Sequence, residues 1–306
     1  MLKVLFQRFL QLLFVLWGIS TIIFFLQRMI PGSPADSILG ADASEIDKAE
    51  WLTRFGLDLP LWKQYYYFII NLIQGDLGNS YHDFTPVMEI ILPRLWQTMQ
   101  LASIAFIFSL LLATFFGMIS AAKAGKFADK TSAIVSLLAI SAPSFIIGPI
   151  LMWIFSVKLA IFPLLGNEGA SSFVLPAITL GASLAAFSSR MIRSGIVDVL
   201  QEDYIRTAKS KGLSAFQILT KHALRNAFLP TLTILGMQLG VLLSGAVITE
   251  QIFNWPGLGS LVVEAVQQRE YNVVSGCVIV MATIYVICNL IVDILYRIFD
   301  PRVRFS

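Results

Sequence analysis

Charge is scarce in this sequence. Charged side chains make up 13% of the 306 residues and hydrophobic ones 57%, against roughly 25% and 45–50% in an ordinary soluble domain. So much apolar surface calls for burial in lipid. Basic residues number 22 and acidic ones 19, and no Lys/Arg run is dense enough to follow a nucleic-acid backbone, which removes nucleic acid as a partner. Cysteine is nearly absent. Cys277 and Cys288 share one apolar stretch, where a helix separates them by about 16 Å, beyond disulfide reach. Both are expected to be packing residues. Histidine is equally rare: His82 and His222 fall in different polar segments, with no His-Glu-x-x-His pair and no Gly-x-Ser-x-Gly elbow. A hydrolytic site lacks its materials, and no metal site is expected. A phosphate-binding loop is missing as well, the nearest approach being Gly125-Lys126 followed by Phe127. No cofactor is expected on this chain.

What is present is a series of long apolar stretches. Six approach the 20 residues needed to cross hydrocarbon, at about 9–27, 97–122, 132–156, 174–190, 229–250 and 273–296. The expected fold is therefore all-α and polytopic, with six transmembrane helices. Phe9 to Leu26 alone carries thirteen Phe, Leu, Ile or Val residues, each contributing about −0.3 to −0.6 kcal/mol to insertion. A cleaved signal peptide is the competing reading, but the stretch runs into Gln27-Arg28-Met29-Ile30-Pro31 without a small-x-small cleavage site.

Short cytoplasmic loops carry excess Lys and Arg. Placing both termini in the cytoplasm puts fifteen of the 22 basic residues inside, including Lys3, Arg8, Lys123, Lys126, Lys130, Arg297, Arg302 and Arg304. The connection 28–96 then lies outside, holds nine of the nineteen acidic residues and is expected to fold as an external cap. Within it, Tyr65–Ile73 rises only about 14 Å as a helix and reads as interfacial, not as a seventh span. The division expected is 1–96, first span plus cap, and 97–306, a five-helix core with a cytoplasmic arm at 191–228.

Span four is rich in small residues, among them Ala177, Gly181, Ala182, Ser183, Ala185 and Ala186. Span five continues the theme, and Gly236, Gln238, Gly240 and Ser244 within it, with Trp255 just beyond, are the residues assigned to a translocation path. Close packing of helices is the competing reading. Pro143 and Pro149 should kink span three. Phe253-Asn254-Trp255-Pro256-Gly257-Leu258-Gly259 suggests a re-entrant or interfacial turn. A secondary transporter would place ionisable groups at mid-membrane, whereas Arg190, Arg193, Glu250 and Asp293 fall near span ends, from which side chains can snorkel to water.

Residues 198–230 read as helix, tight turn, helix. Gly212 suits the left-handed position after a helix, with Lys209 and Lys211 at the negative end of its dipole. Ser214 and Gln217 form a capping box for the next helix, and Pro230 marks its passage into span five. Ile205, Ala208, Phe216 and Leu219 are expected to form an apolar rib. The result is a short rigid arm able to dock into a groove on a soluble partner.

Arg206-Thr207-Ala208-x-x-x-Gly212 followed by Asn226-Ala227-Phe228-Leu229-Pro230 resembles the EAA loop of ABC-importer permeases. The family's Glu-Ala-Ala stands here as Arg-Thr-Ala, and the spacing to Leu-Pro is about one helical turn longer. Both departures resemble the dipeptide/oligopeptide/nickel/glutathione branch, in its first-permease type. So do Arg28-Met-Ile-Pro31-Gly-Ser-Pro34, Gly56-Leu-Asp-Leu-Pro60-Leu, Gly75-Asp-Leu-Gly78-Asn-Ser80, the Phe253–Gly259 turn and the terminal Asp300-Pro-Arg-Val-Arg304. The resemblance implies a multi-pass subunit of the bacterial inner membrane, paired with a related second permease, two ATPase subunits and an extracytoplasmic substrate-binding protein. It also implies that Tyr204, Ile205, Arg206, Thr207, Ala208, Lys209, Ser210, Lys211, Gly212, Leu213 and Ser214 engage the ATPase. Dipeptides, longer peptides, glutathione and nickel chelates are all carried within the branch.

Overall fold

The computed structural model describes residues 2–40, 42–167 and 169–299, without side chains for 2–9, 228–235, 237, 239, 241, 243–245 and 293–299. The terminal Asp300–Arg304 motif lies outside the described residues. So do the side chains of Lys3, Arg8, Pro230, Ser244, Asp293 and Arg297.

The described chain is helical, with one isolated bridge between Asn79 and Pro86. Its helices are α1 (Leu2–Met29), α2 (Pro34–Leu39), α3 (Glu45–Arg54), α4 (Leu61–Ile73), α5 (Val87–Ala122), α6 (Phe127–Ser141), α7 (Ser144–Leu151), α8 (Val174–Val199), α9 (Asp203–Ser210), α10 (Ala215–Gln217), α11 (Leu224–Phe253), α12 (Leu258–Gln267) and α13 (Tyr271–Phe299). Among the described residues four helical stretches are long and apolar enough to cross a membrane: Leu10–Met29, Val87–Ala122, Ala170–Val199 and Tyr271–Val292. The third expected span is broken. Helices Phe127–Ser141 and Ser144–Lys158 meet at 105° around Pro143, whose ring disfavours helical geometry in the preceding Ala142 (ψ 117°). Pro149 sits inside α7, which continues over Met152–Lys158 as a wider, π-type turn. The fifth expected span runs within α11.

The chain divides into two compact units. One comprises residues 1–97 and 256–284. Residues 256–284, assigned to the core on sequence grounds, belong here because Leu258, Leu261, Val273, Val274 and Cys277 form one apolar cluster with Val87 and Ile91. Trp51, Tyr81, Ala35 and Tyr271 make a second cluster, so residues 28–96 are folded. Ser33 caps α2 through Ala35 N–H, Ser44 caps α3 through Asp47 N–H, and Gly56, Gly75 and Gly78 take positive φ at the turns. Helix α4 has 13 residues, about 20 Å, short of a bilayer core.

The other unit comprises residues 98–255 and 285–306. Helix α8 packs against α6, α7 and α11. Its small residues explain the closeness: a Cβ on Gly181 would lie 2.8 Å from the Ala105 carbonyl oxygen, and one on Gly195 would lie 3.0 Å from the Ala227 Cβ. Lipid offers no hydrophobic drive between helices, so backbone approach of this kind supplies the packing.

Candidate functional site

The 198–230 segment forms two helices joined by a tight turn. Helix α9 ends in a Schellman motif, with Leu213 N–H donating to Ala208 C=O (3.3 Å) and Gly212 N–H to Lys209 C=O (3.0 Å). Gly212 takes φ +80°, a conformation that penalises any Cβ. The next residues complete the capping box: Gln217 N–H donates to Ser214 Oγ, and Ser214 N–H donates to Gln217 Oε1 at 3.0 Å. Turn and cap together fix the direction of the second helix, which passes through a π-type turn at Ile218–Ala223 into α11.

The rib differs from the expected one. Ile205 and Ala208 are buried, but their partner from the second helix is Ile218, flanked by Leu213, Val199 and Leu200. Phe216 is 73% exposed, and Leu219 packs in a different cluster with Ile192, Ile196, Ala223 and Ala227. A helical period cannot be carried across Gly212 because the turn resets the register. The Ile192–Ala227 cluster also includes Ala113 and Ala121 of α5, so the arm's root is packed into three long helices. Asn226 Nδ2 donates to Tyr204 Oη at 2.6 Å and ties the start of α11 to α9.

The outer face is left to solvent. Tyr204, Arg206, Thr207, Lys209, Ser210, Lys211, Gly212, Ser214 and Phe216 are exposed, whereas Leu213 is half-buried. The Arg206–Asp203 pair (3.5 Å) is exposed on both sides and contributes little to stability. The face thus offers cations, a phenol and a phenyl ring on a stiff support.

The residues assigned to a path sit as follows. Cβ atoms on Gly236 and Gly240 would collide with Val292 and Tyr285, so both glycines mark close contact with the last helix. Gln238 is half-buried. Trp255 is fully buried, edge-on to Phe173 at 4.5 Å, in a cluster with Leu101, Ala105, Leu180 and Leu242.

Two end-of-span charges do not snorkel. Arg193 forms a bidentate pair with Asp129, whose carboxylate also accepts from Ser120 Oγ (2.5 Å) and Gly125 N–H (2.8 Å). Glu250 is fully buried and accepts from Thr98 Oγ1 at 2.6 Å. Sequence reasoning placed both at span ends and missed these pairings, because the partners are 64 and 152 residues away. It also missed Glu270, a buried carboxylate that accepts from Ser80 Oγ (2.8 Å), Tyr81 N–H (2.8 Å) and His82 N–H (2.9 Å). No local signal pointed to it, because the Tyr81 and His82 donors lie 189 and 188 residues away in sequence.

The sequence matches the family described as "Binding-protein-dependent transport system inner membrane component" over residues 113–305, and the N-terminal portion of such components over residues 1–102. It is 38% identical to the glutathione transport system permease protein GsiC of Escherichia coli O6:H1 strain CFT073, and 37% identical to that of strain K12, covering all of both chains in each case. Among solved structures it is similar to an inward-facing MetNI methionine ABC transporter (TM-score 0.58, 17% identity, 70% of this chain and 97% of that one). It also resembles an amino acid ABC transporter crystallised with histidines (TM-score 0.51, 18% identity, 71% of this chain and 95% of that one).

Proposed function

The chain belongs to the binding-protein-dependent transport system inner membrane components, the permease subunits of ABC importers, and from that premise we propose that it forms half of a path for small peptides of the glutathione class. A related second permease forms the other half. Two ATPase subunits, carrying ATP and Mg²⁺, dock on the α9–α10 arm from the cytoplasm, and a substrate-binding protein delivers solute to the outer face. The multi-pass chain sits in the bacterial inner membrane with both termini cytoplasmic. The observation that carries this reading is the arm itself. Its direction is set by Gly212 at φ +80° and by the Ser214 cap, and its root is packed against α5, α8 and α11. Movement of a partner seated on Tyr204, Arg206 and Phe216 is thereby passed to helices that cross the bilayer. Peptide or glutathione as solute is supported by the full-length likeness to the glutathione permeases.

The test is reconstitution of the chain with its companion permease, ATPase subunits and binding protein in proteoliposomes, followed by uptake of labelled glutathione and labelled dipeptide. ATP-dependent uptake of either one is expected. Uptake driven by a proton gradient without ATP would make the protein a secondary transporter instead.

A further inference from the structure

In the unit of residues 1–97 and 256–284, a cavity of about 410 Å³ lies among the end of α1, the end of α3 with the turn after it, α4, the 76–81 turn and the start of α13. That volume falls in the roughly 300–1,000 Å³ range of small-molecule sites. Its rim is exposed at Thr53, Asn71 and Asp76, whereas Tyr81, Ser275 and Gly276 on its lining are buried. None of the residues assigned to a path lines it.

Arg28 stands in its wall, half-buried. The guanidinium carbon lies 3.5 Å from the centre of the Phe24 ring, Nε donates to Gln64 Oε1 (2.9 Å), and Nη1 donates to Phe24 C=O (3.1 Å). All of these partners are neutral. Arg28 has no ion pair among the described residues, and three of its five N–H groups, both on Nη2 included, make no hydrogen bond there. The other charges on the lining are Arg54, which is exposed and 4.4 Å from the Phe84 ring, and Asp76, whose Oδ1 accepts from Gly78 N–H at 2.8 Å. Two guanidinium groups against one carboxylate leave the cavity with a positive surplus.

Gln64 explains how a neutral partner holds the group. Its Nε2 donates to Leu57 C=O (3.0 Å) and Leu59 C=O (2.8 Å), which fixes the amide so that Oε1 faces Arg28. The guanidinium is thus positioned without being neutralised. A partly desolvated cation gains most from a counter-charge, and the guanidinium fork matches a carboxylate with two parallel hydrogen bonds. An arginine serving only to cap α1 through the Phe24 carbonyl would need neither the locked amide nor a cavity of this size beside it.

We propose that this cavity receives a small peptide solute, with the solute's carboxylate on the unpaired N–H groups of Arg28. The identity of the carboxylate as cargo rests on the importer reading under Proposed function; the capacity for a carboxylate rests on Arg28 and its surroundings alone. Such a site favours cargo with a free carboxyl end over cargo whose end is blocked.

The test uses the full chain reconstituted in nanodiscs, titrated with N-acetyl-dialanine, which keeps the carboxylate, and with dialanine amide, which lacks it, and read by saturation-transfer NMR. N-acetyl-dialanine is expected to bind about tenfold or more tightly than the amide, and Arg28→Gln to erase the difference. Asn71→Trp, which fills the cavity from its rim and leaves Arg28 in place, should weaken binding of N-acetyl-dialanine as well, with both variants checked for folding by their melting curves. Equal affinity for the two peptides, or a preference that survives Arg28→Gln, overturns the proposal. So does unchanged dipeptide binding in Arg28→Gln together with loss of the substrate-binding protein from its complex, since that would assign the guanidinium to a carboxylate of that protein. Binding in nanodiscs needs no ATPase, so failure of the importer reading shows in the uptake assay and failure of the cavity in this titration.

Discussion

Asp129 and Arg193 join the first turn of α6 to the C-terminal part of α8, and both side chains are committed. Arg193 donates twice to the carboxylate, and Ser120 and Gly125 supply two further donors. The Asp129 side chain is 7% exposed and that of Arg193 35%, so the pair is screened only in part. A charge-assisted hydrogen bond of this kind contributes about 1.5–3 kcal/mol. Asp129→Asn should therefore lower the melting temperature of the purified chain by several degrees, and an unchanged melting curve would mean the pair is decorative. Glu270 holds the 78–83 turn in the same manner from a buried position. Glu270→Ala would strand the buried Tyr81 N–H at about 1–3 kcal/mol and remove the acceptor of Ser80 Oγ. Limited proteolysis should then cut within the 75–85 turn, where the parent protein resists.

At the scale of elements, the glycines of α11 act through what they omit. Gly240 lies against the Tyr285 ring of α13, and Gly240→Leu would force those helices apart at a cost of about 1–3 kcal/mol or more. The expected result is reduced accumulation of folded protein and a lower melting temperature; full stability would mean the two helices are not in contact. The elements themselves were legible in the sequence where physics is local. Gly212, Ser214 and Gln217 announced their turn and cap because a left-handed glycine and a capping box are properties of four or five neighbouring residues. Pro143 announced a break, although not its angle of 105°. The rib was misread at Phe216 and Leu219 because their burial is set by what the second helix packs against after the turn. Asp129–Arg193 and Ser80–Glu270 were illegible for the same reason, being joined only by the tertiary fold.

For the whole molecule, composition and span lengths indicated a helical membrane protein before any coordinate was known, and the family match over both halves of the chain agrees. What the charge count adds is a sidedness that can be measured. A cysteine introduced at Ser44, in the cap before α3, should react with an impermeant thiol reagent applied to the outside of cells, whereas one at Ser210, in the arm, should not. The reverse pattern would invert the orientation and detach the arm from any cytoplasmic ATPase.

The central claim is that the arm couples this chain to an ATPase subunit, and Gly212 offers the most direct test of it. A Cβ placed there meets nothing within 4 Å, so a substitution acts through the backbone alone. At φ +80° a β-branched side chain costs on the order of 1–2 kcal/mol and redirects the second helix, while Asn tolerates that conformation. Gly212→Val should insert in the membrane normally, lose co-purification of the ATPase subunits and abolish uptake, with Gly212→Asn retaining both. Normal co-purification and normal uptake in Gly212→Val would contradict the account.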